Sequence, residues 1–146
     1  MTSISDFEAK WNDYAFDVIT LIDSGGDLNC IKKWLILSKY FEKSTEKLNF
    51  ANGSKLQIKY ELNNVHVCQN NVCFYIPSVL VKNMTDKVIL GIPFIFMLYP
   101  FTAEEDGVST IKMGVPVKFH FASKSEIDVN KLNLNLIIAL FLDLKT

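Results

Sequence analysis

The sequence carries little of what marks several large classes of protein. Its 146 residues include three cysteines, Cys30, Cys68 and Cys73, and an odd number does not suit a disulfide-stapled secreted scaffold. Fifteen basic residues stand against sixteen acidic ones, for a net charge of −1. Without an excess of Lys and Arg to neutralise phosphates, no nucleic-acid partner is expected. No apolar run reaches the roughly 18 residues of a membrane span, so no membrane partner is expected either. The opening Met1-Thr2-Ser3-Ile4-Ser5-Asp6 has neither a basic stretch nor an apolar stretch. No secretory signal is read there, and an intracellular, cytoplasmic chain is expected. Metal ligands are sparse too. His66, Cys68 and Cys73 give His-x-Cys-x4-Cys, but a structural zinc site needs four ligands, and Cys30 and His120 belong to distant segments. The two cysteines of that pattern read as small core residues beside a hairpin loop, and no metal is expected.

What the chain does have is apolar side chains. At 49% apolar and 21% charged it is neither disordered nor fibrous. Its length suits one domain of roughly 100–200 residues, able to bury about 70% of its unfolded surface.

The patterning is mostly that of strands. Residues 16–22 form a β-branched run suited to a buried strand, stopped by Asp23-Ser24-Gly25-Gly26-Asp27. Residues 29–40 fit a short helix or a strand equally well. Asn52-Gly53 is a strong hairpin signal, and beyond it Leu56, Ile58, Tyr60 and Leu62 alternate with polar residues as in one half-buried strand. Residues 65–68 and 72–76 flank Gln69-Asn70-Asn71 as a second hairpin. Residues 88–90 make a short apolar strand ending at Gly91, and Pro93 then opens a brief helix that stops before Pro100. An acidic loop over 102–110 and a last strand over 115–121 follow. Residues 128–146, rich in Leu and Ile, have no turn signal joining them to this pattern and are read as an appendage.

The chemistry lies in Leu21-Ile22-Asp23-Ser24-Gly25-Gly26. An acidic residue directly behind a buried strand is costly unless its carboxylate is used or paired. A small hydroxyl can hold such a turn, and a glycine lets a second backbone come close. About sixty-five residues on comes Val88-Ile89-Leu90-Gly91 with its helix, and between them lies Ala51-Asn52-Gly53-Ser54. The order DSG, ANG, ILG resembles the retropepsin-like aspartic proteases of reverse-transcribing elements, most of all those of plant pararetroviruses, over roughly residues 16–121.

That resemblance implies an all-β, retropepsin-like half-barrel with one or two short helices, mostly antiparallel and closed. Residues 1–15 would be an N-terminal extension, 16–122 the protease domain and 123–146 the C-terminal appendage. It further implies Asp23 as the catalytic carboxylate, with Ser24 and Gly25 supporting the catalytic loop. Gly26 and Asp27 would line the cleft floor, and Asn52-Gly53 would cap it. Three features depart from the family. Gly26 replaces the usual alanine, Ile92 stands where several relatives have an arginine paired to the position of Asp27, and only one clear strand precedes Asp23. Pepsin-like enzymes carry two such motifs in a much longer chain, whereas Asp86 and Asp106 follow no apolar strand. The resemblance therefore implies a homodimer cutting a polypeptide of the parent element, without a cofactor. The competing reading is a catalytically inert remnant that serves as a dimerisation or binding module.

Overall fold

The computed structural model describes residues 14–49, 53–122 and 133–142. The β-branched run forms β1 (Tyr14–Asp23). Val18, Thr20 and Ile22 turn into the core while Asp17 and Ile19 face out, the period of two of a strand. The ambiguous segment after it resolves into β2 (Cys30–Lys32) and two single turns of 3-10 helix. The segment does not run on as one α-helix. Ile31 is in the core and Ile36 and Tyr40 are buried as well, but Trp34 and Leu37 are exposed.

A long hairpin arm follows, built from β3 (Glu42–Lys43), β4 (Lys47–Asn49), β5 (Lys55–Gln57) and β6 (Tyr60–Leu62). β3 pairs with β6 at its base and β4 with β5 farther out. The Ser44 N–H donates to the Lys59 carbonyl and the Ile58 N–H to the Glu46 carbonyl, both at 3.0 Å, which joins the two halves. The alternation read as one strand over 56–62 is thus interrupted at 58–59, and Leu56 is exposed while Ile58 and Leu62 are buried.

β7 (Val65–Gln69) and β8 (Val72–Tyr75) form the second expected hairpin. Asn70 and Asn71 make its turn with φ of 52° and 64°, a left-handed conformation that asparagine tolerates. That two-residue turn sets Cys68 directly opposite Cys73, and the two are joined by a disulfide. Reading them as unbridged core cysteines is corrected by this register.

β9 (Ser78–Val81) and β10 (Val88–Leu90) lead into α1 (Ile92–Leu98), with Pro93 in its first turn. Phe94 of this helix meets Phe74 and Phe119 with ring centroids 6.0 and 5.9 Å away, fixing the helix on the sheet. The acidic loop expected over 102–110 is instead a hairpin of β11 (Phe101–Ala103) and β12 (Gly107–Lys112), followed by β13 (Val115–Phe121). Lys118 lies against both Glu104 and Asp106, offsetting the acidic run. The buried Thr110 hydroxyl donates to the Leu98 carbonyl at 2.6 Å, satisfying one of the end carbonyls of α1.

The largest departure is at the C-terminal end. The segment expected as an appendage supplies β14 (Asn133–Leu142), which pairs antiparallel with β1 from Tyr14↔Leu142 to Asp23↔Asn133. It also pairs with β13 and β7. Leu136, Ile138 and Leu140 join the main core, while Ala139 and Phe141 pack with Cys68 on the other side. Residues 138–142 are buried on both faces and read as an unbroken apolar run, with no alternation to mark them as a strand.

The main sheet runs β11-β12-β13-β14-β1-β10-β2-β9-β6-β3, with β7 and β8 attached at β14. Its two ends do not pair with one another, so the sheet is open rather than closed as expected. The fold is otherwise the expected all-β class, with one short α-helix among the described residues.

Candidate active site

β1 lies parallel to β10, with Leu21 beside Ile89 and Ile22 beside Leu90. Asp23 therefore leaves the end of β1 next to the turn at Gly91. The Gly25 N–H donates to Asp23 Oδ1 at 2.8 Å, and the Gly26 N–H to the Asp23 carbonyl at 3.1 Å. The Ile92 N–H reaches across to the Gly26 carbonyl at 2.8 Å. This approach is possible only because position 91 has no side chain. A Cβ there would lie 2.3 Å from the Gly26 carbonyl oxygen and 2.9 Å from that of Leu28.

Asn29, which the sequence reading passed over, ties the loop to the rest of the domain. It is buried, accepts the Gly91 N–H at Oδ1 (3.1 Å) and donates from Nδ2 to the Pro77 carbonyl (3.2 Å). Its own carbonyl accepts the Val79 N–H at 2.8 Å. Its partners lie 62 and 48 residues along the chain, so no local motif announces it.

Between this loop and the hairpin arm lies a cleft of about 660 Å³. Asp23, Gly25, Gly26 and Asp27 line it on one side, and Leu48, Leu56 and Ile58 of the arm on the other. Asp23 is partly exposed, and Asp27 is exposed, with no cation within 4 Å among the described residues. Ile92 offers Asp27 no charge partner, and the hydrogen bond that position 92 makes to this loop is the backbone one to the Gly26 carbonyl. Gly26 has room to spare. A Cβ there would meet the Asp23 carbonyl oxygen and the Gly91 Cα at 3.5 Å, an ordinary contact. Ser24 is exposed, stands outside the cleft wall and makes no hydrogen bond among the described residues. Asn52 lies outside the described residues. Gly53, with φ +86°, is exposed and open on all sides.

Cys30 lies under the cleft. Burial pushes its thiol up to about 11, so it stays protonated at neutral pH and is no nucleophile. Lys33, Lys59, Lys82 and Met84, from three separate segments, line the same cleft, and no local motif marks them.

Compared with known proteins, the chain matches one family profile, described as the cauliflower mosaic virus peptidase (A3), over residues 8–138. No curated protein and no solved structure matches it. The matched span contains the Asp23 loop, the hairpin arm, β10 with its helix, and the first part of β14. Fold and match agree over most of the chain: it belongs to the cauliflower mosaic virus peptidase (A3) family, the caulimovirus proteases of retropepsin type.

Proposed function

We propose that the chain is an aspartic endopeptidase that works as a homodimer and cuts the polyprotein of a reverse-transcribing element. The observation that carries this reading is the seat of Asp23. It stands behind a core strand, partly exposed, at one side of a cleft large enough for a peptide. Each chain offers one such carboxylate, so the second comes from a second copy. Two carboxylates about 3 Å apart share a proton. The ionised one takes a proton from water as that water attacks the peptide carbonyl, and the protonated one donates to the carbonyl oxygen. Collapse of the tetrahedral intermediate passes a proton to the leaving amine, breaks the C–N bond and restores the pair. The Gly25 N–H, held on Asp23 Oδ1, keeps the carboxylate oriented. The unengaged Ser24 hydroxyl is available to brace the facing loop. Substrate lies extended beneath the β4–β5 arm as an added strand.

Replacing Asp23 with Asn tests this directly. Peptide cleavage should fall by about 10⁴-fold while the circular dichroism spectrum and melting temperature stay as they were. Undiminished cleavage by the variant refutes the reading, as does full activity in a strictly monomeric preparation.

A further inference from the structure

The cleft wall is apolar at its base and basic at its rim. We infer that it selects peptides in which an aliphatic or aromatic residue is flanked by acidic residues, and that Lys33, Lys59 and Lys82 set this preference. The inference rests on the peptidase reading for its substrate but concerns side chains that reading does not use.

The base is formed by Leu28, Cys30, Val81 and Ile89, and Leu48 and Ile58 face it from the arm. These residues belong to one packed cluster, so the surface is a fixed apolar bed. Its occupant gains from leaving water roughly in proportion to its apolar area, which favours a large hydrocarbon side chain.

The charges around that bed are unbalanced. Lys33, Lys59 and Lys82 all line the cleft, against only Asp23 and Asp27 among the acidic residues. Among the described residues, no carboxylate lies within 4 Å of any of the three lysines. Lys33 is held instead over aromatic faces, its Nζ 4.9 Å from the Tyr60 ring centroid and 5.9 Å from that of Phe41. Lys59 and Lys82 are exposed, from opposite sides: the arm and the end of β9. An extended peptide would thus pass between ammonium groups that no carboxylate of the described residues neutralises. Acidic side chains supply the complement, and basic ones meet repulsion.

The test uses three peptides with the same apolar centre and Glu, Gln or Lys on both flanks, assayed at pH 6, where glutamate is ionised. For the unaltered protein, kcat/KM should fall in the order Glu, Gln, Lys. About tenfold should separate the extremes, carried by KM and shrinking in high salt. The double variant Lys59→Glu/Lys82→Glu, both positions being exposed, should reverse the order. Equal rates for the three peptides, or an order unmoved by the double variant, overturns the inference. Binding of the same labelled peptides to the Asp23→Asn variant separates this outcome from failure of the peptidase reading. If the unaltered protein cleaves nothing, tighter binding of the Glu peptide still supports the cleft preference, and equal binding refutes it. Should the double variant not fold, the order shown by the unaltered protein decides alone.

Discussion

The loop that carries Asp23 and the hairpin arm across the cleft from it are built in opposite ways. The loop is fixed by backbone contacts: Gly25 and Gly26 bond back to Asp23, Ile92 bonds to Gly26, and buried Asn29 bridges Gly91 and Pro77. The outer arm has almost none of this. β4 and β5 pair only with each other, and every residue of β5 is exposed. Few buried contacts mean a low free-energy cost of local opening. Packing in this chain therefore holds the carboxylate in place and leaves the outer strands of the arm with little to hold them.

The comparison breaks most visibly at Gly91. Gly91→Ala forces a Cβ against the Gly26 carbonyl, and should cost about 3 kcal/mol or more, read as loss of the cooperative melt. A normal melting temperature for that variant would mean the loop is not clamped. Asn29→Ala leaves the Gly91 N–H unpaired in the core, and should cost about 2 kcal/mol in urea unfolding. Gly26→Ala sharpens the contrast from the other side, since its Cβ fits and the unfolded chain loses freedom. It should stabilise by about 0.4–1 kcal/mol, again by urea unfolding. On the arm, Leu56→Ala should change stability by less than about 0.5 kcal/mol while raising KM for peptide cleavage. A large loss of stability there would show that the arm is structural after all.

The parts of this design that could be read from the sequence are those with local causes. The β1 strand ends at an acidic turn, paired asparagines make a tight hairpin, and Gly91 with Pro93 opens the helix; each follows from a few adjacent residues. Asn29 escaped because its role depends on partners far along the chain, and nothing about an asparagine between Leu28 and Cys30 marks it. The lysine rim escaped for the same reason, as topology alone brings its members to one cleft. The strand β14 was misread for a different cause. Alternation reveals a strand with one wet face, and residues 138–142 of β14 have none. The disulfide is a matter of register, and register depended on a turn length that the sequence left open by one residue.

The pairing of β14 with β1 also orders events in time. The strand that ends in Asp23 has its long antiparallel neighbour more than a hundred positions downstream, Asp23 itself lying opposite Asn133. A ribosome must release more than a hundred further residues before the seat of the acid has both its walls. Loss of residues 133–142 would remove the middle of the sheet, not its fringe.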